Sequence, residues 1–240
     1  MGAMRPATQD YLDLQLRFAS AYATLTGTGL QEAVCVCTNL RRRFGLEEEE
    51  DAGMWHRFVR GLQPPSRLSD NVAWALEFQR TCPLQPPPST AFGCFSFQPP
   101  DSYGAVRIHF RDPNKEPRVS PLGRSEVGRR RDELRAMFEH IQRYHPSART
   151  VRGASWLYNI AAYNRLFPEV YWRSAAVARG KLNMTGASTW GQVLDWRDQV
   201  KTEARDALLN RLPQMNPEQP WRVFPLQCLV PAAPIESFLG

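Results

Sequence analysis

Apolar residues recur at helical spacing through the first third of the chain, then switch to a two-residue period near its middle. Residues 8–26 read as a helix, with Thr8 or Asp10 as cap and Gly27 and Gly29 as stop signals. A second helix spans 30–44 and ends in Arg41-Arg42-Arg43, where cations suit the negative end of the helix dipole. A third covers 47–62, opening on four Glu and an Asp, burying Trp55, Phe58, Val59 and Leu62, and stopped by Pro64-Pro65. Ser69 or Asp70 then caps a fourth helix through Cys82. Residues 82–100 hold six prolines, and the Pro86-Pro87-Pro88 run predicts an extended spacer.

Beyond the prolines, 92–97 and 103–110 alternate as two strands. In the second, Val106, Ile108 and Phe110 share one face, and Arg107, His109 and Arg111 the other. A long helix follows from Gly123 or Ser125 to Tyr144, with Val127, Leu134, Phe138 and Ile141 on its apolar stripe and His145-Pro146 at its end. The pattern then predicts a strand at 149–157, a short helix at 160–167, a strand near 170–178 and a helix from 188 to 212. A last strand, 221–230, carries Pro225, which forces an edge position or a break. The expected fold class is α+β: a helical N-terminal unit, then a mixed, mainly antiparallel sheet flanked by helices. The expected boundaries are 1–82 for the helical domain, 83–100 for the linker and first strand, and 101–240 for the α/β domain.

Charge refines this division. Residues 1–90 carry nine basic and ten acidic side chains, and 91–240 carry 21 and 14, which gives the whole chain its net +6. Of the 30 basic residues 27 are Arg, whose planar fork matches carboxylates and phosphates. The second half is therefore expected to meet an anionic small molecule or cofactor. Nucleic acid is not favoured, because no helix-turn-helix, zinc-finger, RNP or KH signature accompanies the charge. No apolar run is long enough to span a bilayer, and nothing reads as a signal peptide. Five cysteines without a secretory signal predict reduced thiols in a cytoplasmic protein. Oligomeric state is not legible.

Several groups are candidates for chemistry. Arg107, His109 and Arg111 place one imidazole between two guanidiniums, which favours neutral imidazole, a state suited to general-base work. The run Gly123-Arg124-Ser125-Glu126-Val127-Gly128-Arg129-Arg130-Arg131 joins a strand to a helix N-terminus, a place receptive to phosphate. The competing reading is a solvated helix face on which Arg129 and Arg130 pair with Glu133. Ser155, Trp156, Tyr158 and Asn159 close the third strand, with Trp156 and Tyr158 on one face and Asn159 as a helix cap. Ser155 lacks the GxSxG context of a hydrolase nucleophile. No metal is expected: Cys35 and Cys37 diverge on a helix, and so do His140 and His145, five residues apart.

Residues 105–178 resemble the C-terminal acyltransferase-like domain of bacterial two-domain proteins of the GNAT superfamily. The features that carry the resemblance are Arg107-Ile108-His109, a long helix ending in His145-Pro146, Ser155-Trp156-Leu157, and Leu166-Phe167-Pro168 before another strand. The superfamily's R/Q-x-x-G-x-G/A loop is not reproduced, since Arg124 and Gly128 are spaced differently. The resemblance implies a GNAT-like sheet that splays to admit acyl-CoA, and an acyl-CoA-dependent N-acyltransferase acting on an unknown acceptor. His109 would be the catalytic base, and Arg124, Gly128, Arg129 and Arg130 would hold the cofactor phosphates. Arg107, Ser155, Trp156 and Tyr158 would line the acceptor site. The alternative is a non-enzymatic binding protein that recognises an anionic partner, nucleic acid or protein.

Overall fold

The computed structural model describes residues 6–82, 91–112, 120–178, 180, 184–195 and 197–239. The Pro86-Pro87-Pro88 spacer lies outside them. The architecture is α+β, with an N-terminal helical region and a mixed, mainly antiparallel sheet flanked by helices. The chain divides into two compact units, and the division is not linear. One takes 91–178 and 228–239; the other joins 6–82 to the described residues of 180–227.

The helical unit begins with α1 (Gln9–Thr26), capped by the Thr8 side chain and closed by Gly27 in the left-handed conformation. The expected second helix is two pieces, α2 (Leu30–Cys37) and α3 (Leu40–Arg43). It breaks because Thr38 bonds back to the Val34 carbonyl and the Asn39 N–H is drawn to Gln15 Oε1 at 2.9 Å. The acidic run precedes α4 (Ala52–Arg60) rather than forming its first turn, and α5 (Leu68–Gln79) follows. From the stretch 180–227, which the pattern assigned to the second domain, Met184, Trp190, Val193, Leu208, Met215, Val223 and Phe224 pack into this helical core. Trp190, fully buried, sits edge-on to Phe18 at 5.3 Å and Phe224 at 4.8 Å. The single helix expected over 188–212 is α9 (Ala187–Trp190) and α10 (Thr202–Arg211). Between them Asp195 accepts the Arg197 and Gln199 N–H groups, a local turn that competes with helix.

Tyr11 lies at the centre of this unit's polar network. Its hydroxyl donates to Asn39 Oδ1 at 2.9 Å, and the Arg43 guanidinium lies over its ring at 5.2 Å. Burial pushes its pKa up to about 12, although Arg43 and the amide contacts pull the other way. An unfolded tyrosine releases its proton near 10. Stability from this group is thus complete below pH ~10 and is lost as pH rises toward ~12. Tyr11→Phe is expected to make the alkaline decline in unfolding free energy shallower by about one proton, read from urea unfolding at a series of pH values. An unchanged slope would show that Tyr11 does not ionise on unfolding.

The other unit is built on a five-stranded sheet. Its strands are β1 (Ala91–Phe92), β2 (Phe95–Gln98), β3 (Ala105–Phe110), β4 (Thr150–Arg152) and β7 (Ala232–Pro234), in the order β1-β2-β3-β4-β7. Only β3 and β4 run parallel, joined through α6 (Val127–Tyr144); the other neighbours are antiparallel. Val106 and Ile108 face the core with Leu134, Met137, Phe138 and Ile141 of α6, so the helix covers that face. The pattern's last elements resolve differently. The stretch 170–178 is α8 (Glu169–Arg173) and then β5 (Ala176–Val177), because Pro168 sets the helix entry and Tyr171 is drawn into the core. The stretch 221–230 is a 3₁₀ turn, Pro220–Val223, and then β6 (Leu229–Val230), which pairs with β5.

Candidate functional site at the parting of two strands

The parallel pairing of β3 and β4 lasts three residues and stops at Arg107 opposite Arg152. Beyond it β3 continues to Phe110, while the other strand turns toward the opposite neighbour. The Gly153 N–H donates to the Pro231 carbonyl at 3.1 Å, and Ser155 exchanges hydrogen bonds with Leu229. The two strands therefore part at the end from which the chain runs on to α6. The Arg111 N–H points at β2, bonding the Cys94 carbonyl at 2.8 Å. Alternation turns the Phe110 N–H to the side that β4 has left.

Gly153 is required at this point. A Cβ there would lie 2.0 Å from the Tyr158 hydroxyl and 2.5 Å from that of Tyr171. Those two hydroxyls bond each other at 2.8 Å in the core, and burial pushes both phenols well above the usual tyrosine range. The expected strand through residue 157 ends here, and Trp156–Asn159 is a 3₁₀ turn. Residues two apart in such a turn point about 240° apart. Trp156 and Tyr158 consequently share no face: Tyr158 is buried, and Trp156 is half-buried. The Ser155 hydroxyl caps the turn, accepting the Leu157 N–H at 3.1 Å. Asn159 does not cap the following helix, α7 (Ala161–Asn164), whose N-cap is Ile160; it bonds the Trp156 carbonyl instead. Tyr163 on α7 packs with its ring 5.3 Å from Phe110 at the end of β3 and 5.1 Å from Tyr158 of the 3₁₀ turn.

On the sheet face away from α6, Arg107 and Arg152 are register partners and both exposed, and His109 follows half-buried, two residues beyond. Two guanidiniums side by side raise the local positive potential. Arg152 escaped the sequence reading, because only the register sets it beside Arg107.

At the start of α6 the arginines separate by burial. Arg124, in the 3₁₀ turn Arg124–Glu126, is exposed. The Arg129 side chain is 61% exposed, reaching Glu133 at 3.4 Å and Glu126 at 3.9 Å. Arg130 is only 4% exposed and is committed internally. It donates to Glu133 Oε1 at 2.7 Å and to the Cys94 sulfur, and lies 3.8 Å from Glu126. Glu133 Oε2 in turn accepts the Cys94 N–H at 3.0 Å. Gly93 makes room for this arrangement: its φ is +60°, and a Cβ would fall 1.9 Å from the Glu133 carboxyl carbon. The thiol of Cys94 is held neutral, with burial pushing its pKa up to about 12. The i, i+3 spacing of Arg130 and Glu133 is visible in the sequence; the turn they hold is not. Gly128 has open space where a Cβ would be, so no protein contact demands glycine there.

The structure thus brings Arg107 and His109 together on one sheet face, and Arg124, Gly128 and Arg129 together at the opening of α6. Arg130, Ser155 and Tyr158 serve the protein's own packing and capping. His140 and His145 do not diverge as expected, since their rings are 6.3 Å apart with Phe97 against both. His145 lies past the helix end, at φ −133°, where helical rotation no longer applies. Among the described residues no group of three or more His, Cys, Asp or Glu could hold a metal ion, and no helix is long and apolar enough to cross a membrane.

Exposed Arg124 and Arg129 at a helix start could hold phosphate groups, and the backbone edge at Phe110 could pair with an extended amide. Comparison of the chain with family models, curated proteins and solved structures found no match.

Proposed function

We propose that the sheet unit is a GNAT-like N-acyltransferase that takes its acyl group from an acyl-CoA. The observation that carries this reading is the parting of β3 and β4 after Arg107 and Arg152, beside a helix opening with two exposed arginines. Arg124 and Arg129 would hold the cofactor's phosphates, and the β3 edge its extended amide arm. Such a thioester would supply an activated acyl carbon, to which the amine nitrogen would bond as the carbon–sulfur bond breaks and a thiolate leaves. His109 would accept the proton that the amine loses and pass it to the departing thiolate. Arg107 and Arg152 attract an acceptor carrying negative charge, and half-buried Trp156 offers an apolar wall.

Calorimetry with acetyl-CoA and a longer acyl-CoA tests the reading. Saturable binding is expected, weakened about a hundredfold in Arg124→Gln/Arg129→Gln, the loss of roughly two charge-assisted hydrogen bonds. His109→Ala should leave binding intact and slow thiol release to an amine by about 10²-fold or more. No binding of either thioester overturns the proposal.

A second reading is favoured by Tyr163, whose buried ring packs against Phe110 at the end of β3. It makes the unit a non-enzymatic receptor for an anionic partner. Thioester binding with no thiol release across a panel of amines would support it over catalysis.

A further inference from the structure

The helical unit carries a concave surface unrelated to acyl transfer. A cavity of about 390 Å³ is lined by Arg211, Gln214, Asn216, Gln219, Arg222 and Val223. That volume lies in the range of small-ligand sites. Its polar lining comes from one stretch of chain with regular spacing: Arg211-x-x-Gln214-x-Asn216-x-x-Gln219-x-x-Arg222.

The spacing acquires meaning from the local structure. After α10 ends at Arg211, a 3₁₀ turn covers Leu212–Gln214, and a second covers Pro220–Val223. Each half of the lining carries a guanidinium and a carboxamide: Arg211 precedes the first turn and Gln214 ends it, and Gln219 precedes the second turn, which contains Arg222. Asn216 stands between the pairs. Its Oδ1 accepts the Glu218 N–H at 2.8 Å, so its amide nitrogen is the atom left to donate outward.

The frame is rigid. Pro213, Pro217 and Pro220 fix three backbone φ angles within thirteen residues. Met215 and Val223 are buried in the core of the helical unit and pin the stretch from below. The lining contains no carboxylate; Glu218, in the same loop, is not part of it. Neither Arg211 nor Arg222 forms an ion pair among the described residues. Two cations and three neutral carboxamides, held on a stiff loop, make a surface with net positive charge and no carboxylate in its lining.

We propose that residues 211–223 form a binding site for a small phosphate ester, with Arg211 and Arg222 gripping the phosphate and the carboxamides of Gln214, Asn216 and Gln219 meeting its polar body. A phosphate dianion offers three strong acceptor oxygens, which matches two guanidinium forks better than a carboxylate does. The cavity exceeds the size of bare phosphate, which leaves room for an ester group over the Val223 floor.

The test is calorimetric titration of the full chain with glycerol 3-phosphate, inorganic phosphate and succinate at one fixed ionic strength. Saturable binding of glycerol 3-phosphate is expected, with inorganic phosphate weaker. Arg211→Gln and Arg222→Gln should each weaken it by about tenfold, the loss of one charge-assisted hydrogen bond. Gln219→Glu should abolish it by placing a like charge in the site. These positions are solvent-facing or half-buried, and unchanged thermal unfolding of the variants would show the frame intact. Arg143→Gln on α6 should bind as wild type. No binding of either phosphate probe, equal binding by Arg211→Gln/Arg222→Gln, or tighter binding of succinate would each overturn the proposal.

Discussion

Glu133→Ala is expected to destabilise the sheet unit by about 3–5 kcal/mol, the loss typical when one partner of a buried ion pair is removed. The carboxylate holds three groups at once. It accepts Arg130 Nη2 at 2.7 Å and the Cys94 N–H at 3.0 Å, and it meets the exposed Arg129 at 3.4 Å. Removing it strands a guanidinium that is 4% exposed, leaving Glu126 at 3.8 Å as its opposite charge among the described residues. It also orphans the N–H that fixes the β1–β2 turn to α6. Glu133→Gln keeps an acceptor and should lose less. The double replacement Glu133→Leu/Arg130→Met should recover much of the loss, since apolar groups of similar volume often replace a buried pair without penalty. Thermal unfolding combined with hydrogen exchange on β2 and α6 peptides reads both effects. A loss below about 1 kcal/mol in Glu133→Ala would place the pair among surface bridges of little energetic weight.

Trp190→Ala should cost about 3–5 kcal/mol in the helical unit, the range for truncating a fully buried aromatic. The indole is enclosed by Tyr11, Phe18 and Phe224, and its N–H donates to the Cys37 carbonyl at 3.3 Å. Truncation opens a cavity and leaves that carbonyl without its indole donor. The informative readout is hydrogen exchange in α1 and α2. Faster exchange there would confirm that residues 180–227 are energetically part of the N-terminal helical unit. Protection of α1 and α2 unchanged in a folded Trp190→Ala would show instead that the two segments fold separately. Trp190→Phe, which keeps most of the apolar volume, should fall between the two.

The two predictions touch places where sequence pattern and structure part company for different reasons. Period-two alternation identified β3 and its two faces, and helical period identified α1, α5 and α6, because a surface-bound element must bury one face and solvate the other. That logic weakens where an element is short. At 170–178 the run Val-Tyr-Trp favours strand by propensity. Pro168 and burial of Tyr171 yield a turn of helix instead. At 188–212 the Asp195 side chain breaks a helix that composition permits.

Site residues followed the same rule. His109, Arg107 and the arginine-rich opening of α6 were legible from spacing alone. Which arginine faces water was not, since Arg129 and Arg130 are adjacent and equal in charge; the helix rotation and the Gly93-Cys94 turn separate them. Trp156 and Tyr158 were misassigned to one face because Gly153, packed against two tyrosine hydroxyls, ends the strand before them.

Sequence by itself determined the class of this protein: helices first, then a basic region of alternating strands around one long helix. Those are properties of local period and charge, which each segment carries within itself. Tertiary structure alone decided that 180–227 joins the N-terminal helices, that β3 and β4 part after three paired residues, and that Arg152 stands beside Arg107. These depend on contacts between residues distant in sequence, where packing and register, rather than any local preference, carry the free energy.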